Sequence, residues 1–223
     1  MKNWASPSVV VILGALVAGA CSPLGPIPDR SRYYTLTPPP VARADSETRR
    51  APSTIVYGLG PVTLPAYLDR SQVATRLSTT EVAYSQWDRW AEPLGANIAW
   101  VLRQNLVEEL GADDIVAYPW AGAGVDYQVE VRLLCFETDV KGETRLVARW
   151  SVRDVRHDRL IVRKETTLTR AGKPDDRAGS TAALSSTLGE LGHEIAAALR
   201  DLPPPTAAAP AAGRASTSRH RSK

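Results

Sequence analysis

Asp126-Tyr127-Gln128-Val129-Glu130-Val131-Arg132-Leu133-Leu134-Cys135-Phe136, Thr144-Arg145-Leu146-Val147-Ala148-Arg149-Trp150-Ser151-Val152-Arg153-Asp154-Val155 and Leu160-Ile161-Val162-Arg163-Lys164-Glu165-Thr166-Thr167-Leu168-Thr169 follow one another with two short polar interruptions, Lys141-Gly142-Glu143 and His157-Asp158. Each run alternates apolar with polar, the period of a half-buried strand, and turn residues separate them at regular spacing. An antiparallel meander is expected, with Leu146, Ala148, Trp150 and Val152 on a core face and Arg145, Arg149 and Arg153 on a wet one. By the same alternation Cys135 joins Val129, Val131 and Leu133 on the core face, as a small buried hydrophobe rather than a reactive thiol.

Two segments change period and flank this meander. Leu94, Ile98, Val101, Leu102, Asn105, Leu106 and Leu110 fall at helical spacing, with Pro93 suited to the first turn and Gly111 to the stop. From Asp176 to Leu202 the residues Leu184, Leu188, Leu191, Ile195, Ala198 and Leu199 repeat the pattern, and Pro203-Pro204-Pro205 ends it. Shorter strands are expected earlier: residues 32–37, ended by Pro38-Pro39-Pro40, and 54–59, broken at Gly60-Pro61 with Val62-Thr63-Leu64 as a continuation. Residues 73–77 and 81–84 follow as a hairpin. The fold class is α+β, a mixed α/β sandwich in which two long helices cover a largely antiparallel sheet in a single domain.

The N-terminal segment has a separate purpose. Lys2 precedes an uncharged run from Val9 to Ala18, too short to cross a hydrocarbon core and so read as a removable signal over residues 1–20. Ala18-Gly19-Ala20-Cys21 resembles a bacterial lipobox and marks Cys21 for a thioether-linked diacylglycerol and further acylation. Ala18 and Ala20 also satisfy an ordinary secretory site; lipidation is the reading adopted. Ser22, rather than Asp, favours the outer membrane. Residues 21–31, with Pro23, Pro26 and Pro28, read as a lipidated tether, residues 32–202 as the domain, and 203–223 as a disordered tail.

The chain holds 2 cysteines, so with Cys21 acylated no disulfide forms. Its formal charge of +3 and pI near 9.0 do not indicate nucleic acid. Arg214, Arg219, Arg221 and Lys223 place four cations in a tail that holds no acid, and the remainder is close to neutral. Such a tail reads as a solvated end, with anionic lipid headgroups or cell-wall polymers as its plausible contacts.

No catalytic or metal-binding pattern stands out in the sequence. The 3 histidines, His157, His193 and His220, have no metal-ligand spacing. There is no Gly-x-Ser-x-Gly elbow and no phosphate-binding Gly-x-x-x-x-Gly-Lys. Gly122-Ala123-Gly124 reads as a turn, Asp113-Asp114 as a loop, and His193-Glu194 as a solvated helix face rather than an acid/base pair. No enzyme, metal or cofactor is expected beyond the acyl modification at Cys21. The exception to this bland surface is Tyr84-Ser85-Gln86-Trp87-Asp88-Arg89-Trp90, since aromatics and arginine are enriched at interfaces. Trp87, Arg89 and Trp90 are candidate partner-binding residues, weighed against the two tryptophans simply closing the core at the helix entrance. Arg70 and Arg76 are expected to pair with Asp88 or Glu92.

Tyr33-Tyr34-Thr35-Leu36 shortly after the lipobox, then Gly58-Leu59-Gly60-Pro61-Val62-Thr63-Leu64-Pro65-Ala66-Tyr67-Leu68-Asp69-Arg70 leading to Val73-Ala74-Thr75-Arg76, then Trp90-Ala91-Glu92-Pro93-Leu94, resemble the ABC-type transport auxiliary lipoprotein family over about residues 31–202. The resemblance implies a non-catalytic outer-membrane lipoprotein, facing the periplasm, in a system that moves lipids or other hydrophobic molecules between membranes. It further implies a periplasm-spanning mammalian-cell-entry (MCE) partner, inner-membrane transport components, and assembly into a homo-oligomeric ring. Competing functions are a stand-alone lipoprotein binding a small hydrophobic or cell-wall ligand, which needs a preformed concave pocket, and an outer-membrane assembly factor.

Overall fold

The computed structural model describes residues 28–38, 55–112, 115–120 and 124–202. The signal segment, Cys21, the loop 39–54, Asp113-Asp114, residues 121–123 and the tail from 203 lie outside them. The chain divides into two units, Met1–Ser31 and Arg32–Lys223. The first is described only at residues 28–31, where the Ser31 N–H donates to Asp29 Oδ1 at 2.9 Å.

In the second unit the strands are β1 (Arg32–Tyr34), β2 (Tyr57–Thr63), β3 (Gln72–Arg76), β4 (Val82–Trp90), β5 (Val116–Ala117), β6 (Tyr127–Asp139), β7 (Thr144–Asp154) and β8 (Arg159–Arg170). Helix α1 (Leu94–Leu110) lies between β4 and β5, and α2 (Arg177–Arg200) follows β8. The strands form one 8-stranded sheet. Its spine is β6, which pairs antiparallel with β7 along one edge; on the other edge its first half takes β2 and its last residues take β3, both parallel. Beyond these, β8 continues the meander, β5 joins β2, and β4 then β1 follow β3.

The expected antiparallel character holds for the meander and for β3–β4, whereas β1–β4, β2–β5, β2–β6 and β3–β6 are parallel, so the sheet is mixed. Alternation assigns a strand its buried face but carries nothing about the direction of its neighbour. Strand β2 does not end at Gly60-Pro61; it runs through a register irregularity there and reaches Thr63. Strand β1 stops at Tyr34, short of residue 37, because the next backbone groups bond a side chain: Leu36 N–H donates to Asn97 Oδ1 at 2.7 Å, and Asn97 Nδ2 donates to Leu36 O at 3.3 Å.

Helix α1 begins after Pro93 and ends at Gly111, whose left-handed backbone (φ 58°) lets its N–H reach back to the last turn. Asp176 caps α2 by accepting from the Gly179 N–H. The helices pack closely: a Cβ on Gly192 would meet Asn105 Cβ at 2.8 Å. Ile98, Val101, Leu102, Leu106, Leu188, Leu191 and Ile195 are fully buried against Val129, Val131, Leu133, Leu146, Ala148 and Val152 of the sheet. Burying a side chain of this size contributes about 1.5–3 kcal/mol, which is how the helical stripes and the core face hold each other.

A β-bulge corrects the expectation for Cys135. The pairing shifts between Leu133, opposite Ala148, and Cys135, opposite Val147. One extra residue reverses every later side chain. Phe136 therefore takes the core position, 1% exposed, and Cys135 turns to the opposite face, half-buried beside Glu137. Burial and the nearby Glu137 carboxylate push its thiol up to about 12, so it is protonated and inert.

A candidate interaction surface

Strand β4 carries the residues singled out in the sequence and separates them. Between Gln72–Arg89 and Ala74–Tyr84 its pairing with β3 shifts, and the slack is taken up at Ser85. The Ser85 hydroxyl accepts from the Asp88 N–H at 2.9 Å and the Trp87 N–H at 3.3 Å, and donates to Asp88 Oδ2 at 2.9 Å. Past this bulge, Asp88 and Trp90 turn inward, opposite Arg32 and Tyr34 of β1, while Trp87 and Arg89 alternate with them and face away. Trp90 is 7% exposed, in the core; Trp87 is 37% exposed, and Tyr33, opposite Arg89, is 63% exposed. The pair of tryptophans is thus one core residue and one surface residue.

Asp88 holds this edge. It is buried, with Arg32 Nη2 at 2.7 Å and Arg177 Nε at 3.3 Å, so one carboxylate ties β1 and the start of α2 to β4. The arginines expected there serve elsewhere: Arg76 Nε lies 2.6 Å from Glu137 Oε1, and Arg70 stacks on the Tyr84 ring at 4.8 Å. Arg32 and Arg177 reach Asp88 only through strand pairing and helix docking, contacts without any sequence signal. The outward edge is exposed Tyr33 and Trp87 with half-buried Arg89, whose Nη1 donates to Ser71 Oγ at 3.4 Å.

A second aromatic surface was not evident in the sequence. Trp100 of α1, 46% exposed, and Tyr118, 56% exposed, border an open cleft of about 510 Å³ whose floor includes Pro61, Val62, Ala96 and Ala99. Two glycines permit it. A Cβ at Gly60, whose φ is 129°, would come within 2.5 Å of Tyr118 Cβ, and one at Gly58 within 3.0 Å of the Trp120 ring. The detectable signal is Trp100 itself, which stands off the apolar stripe of α1.

The titratable groups near the helices diverge rather than converge. His193 Nδ1 lies 2.9 Å from Glu109 Oε1 on α1, whereas the neighbouring Glu194 turns to β8, accepting from Thr166 Oγ1 at 2.7 Å and pairing with Lys164. Arg200 Nη2 also reaches Glu109 at 2.6 Å. Burial raises the Glu109 pKa, but the hydrogen bonds from His193 and Arg200 outweigh it and hold the carboxyl below its ordinary value. His157 Nδ1 meets Asp154 at 2.8 Å, and its hydrogen bonds lower that carboxyl. Among the described residues no group of three or more His, Cys, Asp or Glu could hold a metal, and no helix is long and apolar enough to cross a membrane. The enclosed space between Leu68, Trp90, Phe136 and Leu184 is about 10 Å³, room for one water; the larger spaces are open clefts of about 470–530 Å³.

By its fold the chain falls with small mixed α/β domains of known structure. A crystal structure of an uncharacterised protein aligns with TM-score 0.61 at 19% identity, covering 76% of this chain and 98% of that one. A DUF330 protein of Xanthomonas campestris aligns with TM-score 0.56 at 15% identity, over 74% and 92%. At these identities the likeness concerns the fold. No curated protein matches. Residues 34–196 match the model of the ABC-type transport auxiliary lipoprotein component, and the chain belongs to that family. It is a transport-related, membrane-associated lipoprotein.

Proposed function

We infer that the protein is a non-catalytic outer-membrane subunit of an MCE/ABC-type intermembrane lipid transport system. Its acylated Cys21 anchors it, its domain docks on a periplasm-spanning MCE protein, and copies of it associate in a ring. The observation that carries the docking role is the rigid aromatic edge. Tyr33 and Trp87 stand exposed beside half-buried Arg89 on strands held in place by a buried carboxylate, the anchored aromatic and arginine side chains that dominate binding energy at interfaces. Among the described residues the enclosed space between Leu68, Trp90, Phe136 and Leu184 holds little more than a water, which favours docking over storage of a hydrophobic ligand.

Capture of an MCE protein encoded in the same gene neighbourhood, where one is found, tests the reading. A Trp87→Ala, Arg89→Ala variant keeps its circular dichroism, melts only a few degrees lower and binds the partner about 30-fold more weakly, from ~2 kcal/mol at one anchor. Undiminished capture by a folded variant refutes docking through this edge. Absence of any MCE gene nearby removes the partner class.

A further inference from the structure

The helices leave one face of the β6–β7–β8 meander to solvent, and that face is rich in arginine. Arg132, Arg145, Arg149 and Arg163 are exposed there, and Arg153 is half-buried. Arg132 stands directly opposite Arg149 in the β6–β7 ladder, and Arg163 of β8 stands opposite Ser151, two residues along from Arg149. Neighbouring strands lie ~4.8 Å apart, so these positions cross three strands within ~10 Å, while Arg145, Arg149 and Arg153 repeat down β7 at ~13 Å intervals. The array is broad and flat.

Like charges directly opposite one another in a ladder oppose folding. The acids of this face relieve only part of that repulsion: Glu165 lies 2.7 Å from Arg149 and Asp158 2.7 Å from Arg153. Glu137 is engaged by Arg76 at 2.6 Å, and Glu130 accepts from Gln128 Nε2 at 3.1 Å. No ion pair among the described residues reaches Arg132, Arg145 or Arg163. Arg132, Arg149 and Arg163 border an open cleft of about 470 Å³ with Pro61, Thr63 and Glu130.

We propose that this arginine face rests on the anionic phospholipid headgroups of the membrane that holds the lipoprotein. Charge complementarity selects anions, and the layout selects a surface of many anions over one bound anion, because the guanidinium groups spread over a plane instead of converging on a point. A bilayer is also the partner always at hand: even fully extended, residues 22–31 span at most about 35 Å. At that range a weak electrostatic contact acts as a second attachment beside the acyl chains. The inference rests on membership of a lipoprotein family and is independent of the MCE docking reading.

The test uses the mature chain, residues 21–223, carrying Cys21→Ser so that no acyl group contributes, and vesicles of phosphatidylcholine alone or mixed equally with phosphatidylglycerol. The parent is expected to sediment with the anionic vesicles only, and to release as salt rises. Each arginine near an anionic surface is worth roughly fivefold in partition, so Arg132→Gln, Arg149→Gln, Arg163→Gln together weaken binding about a hundredfold. The matching triple lysine variant keeps binding close to the parent's. Because every protein compared retains Arg214, Arg219, Arg221 and Lys223, the difference between them reports the sheet face and not the tail. If circular dichroism shows the triple variant unfolded, Arg132→Gln and Arg163→Gln, which lose no ion pair, are each expected to cost roughly fivefold.

Several results overturn the proposal. They are equal binding by parent and folded glutamine variants, equal binding to neutral vesicles, or loss of binding in the lysine variant. Unchanged vesicle binding with lost capture of a protein partner assigns the face to that partner instead. Partner capture in detergent, without a bilayer, reads the docking reading separately.

Discussion

Truncating the two tryptophans of β4 one at a time separates the core from the surface with a single substitution each. Trp90 is 7% exposed and packs with Leu68, Leu94 and Phe136, so Trp90→Ala opens a cavity that the surrounding strands and helices cannot close. The expected loss is ~3–5 kcal/mol. For a domain of this size each kcal/mol lowers the melting temperature by about 2–4 °C, so a fall on the order of 10 °C follows. Trp87, 37% exposed, leaves a space that water fills, and Trp87→Ala is expected to cost about 1–2 kcal/mol, without the cavity contribution. Urea titration followed by circular dichroism gives both numbers at constant m-value. Equal losses for the two variants, or a larger loss for Trp87, would show that the inward and outward turns of β4 are assigned the wrong way round.

Mass spectrometry of the mature N-terminus is expected to find diacylglycerol and acyl groups on Cys21; an unmodified cysteine sinks the anchor. Deleting residues 206–223 should leave the melting curve unchanged, since a composition so poor in large apolar residues cannot offset ordering entropy, and a drop of several degrees would show that the tail packs on the domain. Gly192→Ala places a methyl 2.8 Å from Asn105 Cβ and forces α1 and α2 apart, with an expected loss of ~1–3 kcal/mol in a denaturant titration. Unchanged stability would mean the helices slide without cost. The Glu109 carboxyl is held below its ordinary value of 4.5, so its contribution to stability is present above that pH and drains as pH falls through the lowered value. Glu109→Gln should therefore lower stability at neutral pH and flatten its fall in acid; parallel pH profiles for variant and parent would contradict the His193–Glu109–Arg200 cluster.

Alternation and helical spacing were sufficient to place both helices and all three meander strands within a few residues, because those patterns are local: a residue's periodicity fixes which side of its own element is buried. Pro93 and Gly111 bounded α1 for the same reason, each acting through its own backbone. Family membership was legible too, in motifs spread from Tyr33 to Leu94, and the comparison with residues 34–196 agrees. The candidate interface was legible only as a composition, Tyr84 to Trp90, with no indication of which tryptophan faced out.

Only the tertiary structure decided the rest. Parallel pairing of β2 and β3 on one edge of β6 joins segments up to about 70 residues apart, and nothing in a strand's own period names its neighbour. One unpaired residue in β6 reversed Cys135 and Phe136, and the apolar run Leu133-Leu134-Cys135-Phe136 does not by itself say which of its members face the core. Asp88 found Arg32 and Arg177 instead of Arg70 and Arg76, since an ion pair is set by where elements dock and not by how near its members lie along the chain. Arg132 came to oppose Arg149 only when β6 and β7 took their register, and so the arginines read singly along each strand became one charged face.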